Sequence, residues 1–334
     1  MIWIAVDAMG GDDAPRNIVD GALAAARHFD LGVVLVGRRS EIDIELAKEP
    51  FDASKVRIVD TPDAVAMDDS PVAALRRKPA ASIRVAADLV ARGEASALVS
   101  AGHTGATVMA AHGAFGMLPG VDRPALAAVI PTRRKPALLL DVGASVECRP
   151  QHLLQFAVMG SMFARVVYDI EAPRIGLLSI GHEETKGNEL VREAHQLLKA
   201  APVNFIGNVE ARDVYSGTAD VIVCDGFTGN VAIKTSEGLV ELVEGLLSEE
   251  LFGTITNVFI KRALRHFRMR VDYSEYGGAP LLGVAGVTIV GHGRSSAKAV
   301  RNAVAMAYRF ADTRFIERVG QEIARANVEV RSQN

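Results

Sequence analysis

The stretch from Val221 to Gly238, VIVCDGFTGNVAIKTSEG, holds the residue types of an oxyanion cradle: an apolar run delivers Asp225-Gly226-Phe227-Thr228-Gly229-Asn230 to the start of a helical pattern. Paired glycines let a backbone turn tightly, and the first N–H groups of a helix lack intrahelical acceptors and sit at its positive dipole end. Phosphate suits that geometry. A second copy follows Leu98-Val99-Ser100, where Ala101-Gly102-His103-Thr104-Gly105-Ala106 opens another helix, so both loops spell Gly-x-Thr-Gly. In each, Thr104 or Thr228 either hydrogen-bonds a ligand or caps its helix, while Gly105 or Gly229 permits close backbone approach. The competing reading of either copy is an ordinary strand-to-helix turn.

Three further stretches carry groups suited to an anion or a polarised carbonyl. Leu178 to Glu189, LSIGHEETKGNE, sets Lys186 before the Gly187-Asn188 helix start, where a cation neutralises an oxyanion; a solvated surface charge is the alternative. Glu183-Glu184 lacks HExxH spacing and any His/Cys cluster, so no metal is expected. Asp7, at the end of an apolar run, either lines a pocket or orients the turn through Gly10-Gly11 and Pro15. Gly291-His292-Gly293-Arg294-Ser295-Ser296 opens the last long helical pattern and offers His292, Arg294 and Ser295 as anion contacts or a plain cap. The imidazoles of His103, His182 and His292 either polarise a carbonyl and move protons or simply bond their loops. No Gly-x-Ser-x-Gly elbow, Walker A sequence or GxGxxG fingerprint occurs, so neither a serine nucleophile nor a nucleotide cofactor has local support.

Leu251 to Val271 differs in kind. It carries Lys261, Arg262, Arg265, Arg268 and Arg270 with no acidic residue, and apolar side chains recur at helical spacing. A basic amphipathic helix fits an anionic membrane surface, an acidic protein partner, or a subunit interface with a solvated basic face.

The elements that must position these groups are short apolar strands alternating with helices. Strands are predicted at 2–6, 32–36, 56–59, 97–100, 126–130, 137–141, 175–180, 203–206, 221–224 and 287–290. That alternation predicts an α/β fold with a doubly wound, mostly parallel sheet, a Rossmann-like sandwich in which ligands collect beyond the strands' carboxyl ends. Asp7, Ser100, Asp141, Gly181, Asp225 and Gly291 all fall at such ends, and the loops are expected to gather at one rim. No low-complexity linker divides the chain, so residues 1–334 read as one catalytic domain with a helical excursion over 238–272.

Composition agrees with that architecture. The 334 residues are 49% hydrophobic but only 5% aromatic, as in helices packed on a parallel sheet, and can bury a large core. A net charge of −3 gives no footprint for nucleic acid. Cys148 and Cys224, outside any paired or metal-ligand spacing, suggest a reducing cytoplasm; the start resembles no signal peptide, and no window has the ~18–20 apolar residues of a membrane span.

With these residues in place, the chain resembles the PlsX family, the bacterial phosphate acyltransferases of phospholipid synthesis. The motifs run in order along nearly its whole length: VDAMGGDDAP (6–15), SAGHTGA (100–106), DVGAS (141–145), GHEETKGNEL (181–190), GNVEARD (207–213), CDGFTGN (224–230) and YGGAPLLGVAGVTIVGHGRSS (276–296). Two positions depart from the family, which usually has Asn at His103 and at Ser145. The resemblance implies attack of inorganic phosphate on the thioester of an acyl–acyl carrier protein, giving acyl phosphate and carrier thiol with no cofactor. Lys186 and Asn230 would then be the main phosphate contacts and Asn188 a further carbonyl donor. It also implies a cytoplasmic homodimer, loosely held at an anionic membrane surface, that passes product to a membrane glycerol-3-phosphate acyltransferase of the PlsY type. The basic segment with Lys261, Arg262, Arg265 and Arg268 would meet the acidic carrier or the bilayer. A phosphate acetyltransferase-like enzyme using acyl-CoA and a non-catalytic carrier- or membrane-binding scaffold are the alternatives.

Overall fold

The computed structural model describes residues 1–252 and 277–332; Lys261, Arg262, Arg265 and Arg268 lie outside them. The first half comprises β1 (Ile2–Asp7), α1 (Arg16–His28), β2 (Leu31–Gly37), α2 (Arg39–Leu46), β3 (Val56–Asp60), α3 (Pro71–Arg77), α4 (Ser82–Ala91), β4 (Ala97–Ser100) and α5 (Thr104–Phe115). There follow β5 (Ala125–Ile130), β6 (Ala137–Leu140), α6 (Pro150–Tyr168), β7 (Ile175–Ser179), α7 (Glu189–Ala200), β8 (Phe205–Glu210), β9 (Val221–Val223) and α8 (Gly226–Phe252). After the undescribed segment come β10 (Ala279–Leu282), β11 (Val287–Val290), α9 (Ala297–Asp312) and α10 (Phe315–Ser332).

Strand composition explains the layers. β2, LGVVLVG, is buried along its whole length, as a parallel strand covered on both faces must be. Side chains alternate across the sheet: Val6, Leu35, Val99, Leu140 and Ile289 enter one core with α1, α6 and α9, whereas Ala5, Val36, Leu98, Leu139 and Val290 enter the other with α4 and α5. Phe156 and Phe163 of α6 are fully buried, each worth about 1.5–3 kcal/mol of transfer free energy.

Among the described residues the strands form one sheet in the order β3-β2-β1-β4-β11-β10-β5-β6-β9-β7-β8. The sheet is mostly parallel and the fold is α/β, as its alternation predicts. Direction changes in the middle, however: β10 is antiparallel to both β11 and β5, and β5 is antiparallel to β6. The set β3, β2, β1, β4 and β11 therefore runs opposite to β6, β9, β7 and β8. Loops expected along one rim fall instead into two groups, one at the carboxyl ends of each half. β8 starts at Phe205 rather than at Val203, and β10 was not anticipated. α8 runs from Gly226 to Phe252, across the expected start of the excursion at Gly238, and the rest of that segment, 253–272, lies outside the described residues. No helix among the described residues is long and apolar enough to cross a membrane.

Candidate active site

At the end of β6, Asp141 is fully buried and organises the second half. Its Oδ1 accepts from the N–H groups of Leu126 (2.7 Å), Gly143 (3.1 Å) and Ala144 (3.0 Å), and its Oδ2 accepts from Ser145 N–H (2.6 Å). Burial pushes this carboxyl above the usual carboxylate range, and the four donors oppose the rise. Ser145 uses its hydroxyl on the Pro124 carbonyl (2.8 Å), so the side chain is committed to the loop itself.

The first turn of α8 lies against that loop. Asp225 caps the helix: Oδ1 accepts from Thr228 N–H (2.9 Å) and Oδ2 from the Thr228 hydroxyl (2.6 Å). Asp225 and Thr228 thus satisfy each other. Gly229 is required by packing, since a Cβ there would fall 1.9 Å from the Asp141 carbonyl oxygen. One residue on, Asn230 is exposed, with its Oδ1 3.6 Å from where a Gly143 Cβ would stand and no hydrogen-bond partner among the described residues.

Lys186 emerges from the same end of the sheet, because β7 and β6 flank β9 in parallel. Its backbone N–H closes a turn on the Glu183 carbonyl (3.0 Å), its side chain is exposed, and no carboxylate among the described residues pairs with it. Asn188 caps α7, accepting from Val191 N–H at 2.9 Å, which leaves its amide N–H groups as donors. Below this loop the Ser179 Oγ is buried without a partner among the described residues.

In the first half, the turns after β1, β4 and β11 are pressed together. A Cβ on Gly10 would meet Asp7 Oδ2 at 2.6 Å and Gly102 N at 2.8 Å, and Asp12 N–H donates to the Gly293 carbonyl (2.8 Å) beside Gly11. Asp7 is buried; it accepts from the Ser100 hydroxyl (2.8 Å) and Met9 N–H (3.3 Å), and burial pushes its carboxyl above the usual range against those bonds. It orients the turns. His103 caps α5, its Nδ1 accepting from Gly105 N–H at 3.1 Å, which is the acceptor role an Asn would fill there. Thr104 opens the helix, half-buried, with no hydroxyl partner among the described residues. Ser295 is buried and its carbonyl accepts from Asn17, while the cap of α9 is Ser296.

α8 joins the two groups. Four residues beyond Asn230, one helical turn and about 6 Å along the axis, Lys234 Nζ lies 3.1 Å from His292 Nε2 and 2.7 Å from Glu237. Further on, Arg294 meets Glu241 at 3.3 Å, an exposed pair. Burial and then the Lys234 charge hold His292 below the usual imidazole range. The structure thus groups Lys186, Asn188, Asp225, Thr228, Gly229 and Asn230 in the second half. Asp7, Gly10, Gly11, His103, Thr104, Gly105, His292, Arg294 and Ser295 belong to the first, and Lys234 is the unforeseen link. Its signal was available, as position i+4 from Asn230 on a helix.

No thiol is placed to act as nucleophile. Cys148 donates to the Ser145 carbonyl and burial pushes it up to about 12, while burial also raises the fully buried Cys224, facing the Asp141 carbonyl, well above its ordinary value.

The chain is similar throughout its length to known proteins. Residues 2–318 match a family described as fatty acid synthesis protein. The phosphate acyltransferase of Nitratidesulfovibrio vulgaris (strain DP4) is 50% identical over 332 residues, covering 98% of this chain and 96% of the relative. That of Heliobacterium modesticaldum is 50% identical over 325 residues, covering 96% and 97%. In fold, the chain is similar to a phosphotransacetylase from Streptococcus pyogenes, with a TM-score of 0.67 at 18% identity over 93% of this chain and 94% of that one. From the full-length match in sequence, the chain belongs to the phosphate acyltransferase family of fatty acid synthesis proteins and is an acyltransferase.

Proposed function

We propose that this acyltransferase moves a fatty acyl group from the thioester of an acyl carrier protein to inorganic phosphate, for phospholipid synthesis. An oxygen of hydrogen phosphate attacks the thioester carbonyl carbon. The new C–O bond forms, the C–S bond breaks, and the departing sulfur takes a proton from the phosphate or from solvent. Acyl phosphate and carrier thiol result.

The observation that carries this reading is the end of the sheet where Asn230 and Lys186 emerge, polar side chains without partners among the described residues, beside a helix start anchored by Asp225 and Gly229. Lys186 neutralises the phosphate, the Asn230 amide orients it, and donors aimed at the carbonyl oxygen stabilise charge as it develops. Direct attack also accords with two thiols held protonated. Purified protein, acyl carrier thioester and phosphate should release carrier thiol in proportion to phosphate. Release independent of phosphate would end the reading, and faster turnover of acyl-CoA than of carrier thioester would shift the donor to the coenzyme.

The exposed leucines of α8, Leu239, Leu242 and Leu246, support a homodimer that covers them. The basic segment with Lys261, Arg262, Arg265 and Arg268 supports contact with an acidic carrier and with an anionic bilayer, from which a membrane glycerol-3-phosphate acyltransferase takes the product.

A further inference from the structure

A buried amide on β8 is hydrogen-bonded to the loop that carries Lys186. Asn208, 4% exposed, pairs across the sheet with Leu177 of β7. Its Nδ2 donates to the Glu183 carbonyl at 2.9 Å, and that same oxygen accepts the Lys186 backbone N–H at 3.0 Å. Its Oδ1 lies 2.9 Å from His195 Nδ1, and its own backbone carbonyl lies 3.2 Å from His182 Nδ1.

The chemistry of these partners fixes the arrangement. A carbonyl only accepts, so the amide nitrogen must face Glu183 and the amide oxygen must face His195, which then donates from Nδ1. His195 is itself 3% exposed and sets its ring edge against Phe205, with centroids 5.0 Å apart. Its Nε2 is 3.7 Å from Glu184, and Glu184 is bound by Lys199 at 2.7 Å. Two elements, β8 and α7, therefore grip one exposed turn through a single amide.

We propose that Asn208 is a positioning residue for phosphate: by holding the Glu183 carbonyl it fixes the turn that presents the Lys186 ammonium. The inference rests on the reading of Lys186 as a phosphate contact. It predicts more than structural support, because the lost interaction is a specific donor.

Asn208→Asp tests it, since the shape and the acceptor toward His195 are retained while the donor toward Glu183 is lost once the carboxyl ionises. At pH 8 the phosphate KM should rise about tenfold, the worth of one hydrogen bond, with the KM for carrier thioester unchanged. As pH falls, the protonated carboxyl donates to Glu183 again and the phosphate KM should return toward that of the parent. In a Lys186→Ala background the same substitution should add nothing to the phosphate KM, because Asn208 acts through Lys186. Should Asn208→Asp fail to fold, Asn208→Ser carries the test: its hydroxyl is too short to reach Glu183, and the phosphate KM should rise without recovery at low pH. A phosphate KM unmoved in the folded variant, or an equal effect with and without Lys186, overturns the positioning role. If Lys186→Ala itself leaves phosphate use intact, the reading beneath it fails instead.

Discussion

Gly229 and Asp141 are in backbone contact: the Cβ that Gly229 lacks would stand 1.9 Å from the Asp141 carbonyl oxygen. This contact seats the first turn of α8 on the loop after β6 and so determines where Asn230 projects. The Gly-x-Thr-Gly signature of this turn is explained by packing and capping, and the Asn230 that follows it is exposed.

Gly229→Ala should therefore cost about 3 kcal/mol or more, at the upper end of overpacking penalties, because the obstructing atom is backbone and cannot rotate aside. Gly238→Ala, in the interior of the same helix with nothing among the described residues within 4 Å of the added carbon, should instead gain about 0.5–1 kcal/mol. Urea denaturation of the two variants checks the contrast; similar effects would mean that the contact is not tight.

Lys186→Ala should lower phosphate-dependent thiol release by about 10²-fold, the scale of a lost charge stabiliser in a transition state. The melting temperature should stay within error of the parent, because the side chain is exposed and pairs with no carboxylate among the described residues. Thermal unfolding beside the assay separates a catalytic loss from a folding one.

Asp7 gives a signed pH effect. Its folded carboxyl binds a proton more readily than the unfolded one, because burial disfavours the charge. Its contribution is therefore most favourable below the ordinary value of 3.8 and is lost as pH rises through the raised folded value. Asp7→Asn removes that slope. Parent minus variant stability, from urea titrations between pH 4 and 7, should fall as pH increases; a flat difference would contradict it.

His292 tests the link through α8. Burial and the Lys234 charge both hold its imidazole below the ordinary value, with burial first. Lys234→Ala should move its titration upward, read from the imidazole C–H resonance by proton NMR. An unmoved midpoint would separate α8 from the loop after β11.

The strands with mostly apolar sequence, β2, β4 and β11, were legible because each is buried on both faces. β10, APLL, was not: four residues with a proline offer little strand signal, and side-chain type carries no information on strand direction. The division of the loops into two groups follows from the three successive antiparallel pairings β11–β10, β10–β5 and β5–β6, an odd number of reversals. β8 was misplaced because its alternation is broken at Gly207, where φ is +96°. Within the candidate site, loop composition pointed to Lys186 and Asn230, which the structure brings to one end of the sheet, whereas Asn208 lay in a quoted motif with no hint that its partners were a carbonyl and a histidine more than ten residues away.

The middle of the sheet is completed last. β4 and β5 are separated in space by β11 and β10, which the ribosome delivers only after some 280 residues have emerged. Until then each half of the nascent chain holds a bare edge of unpaired peptide groups, an invitation to pair with a neighbouring chain. A product truncated before Ala279 should be prone to aggregate, however well its two halves have formed.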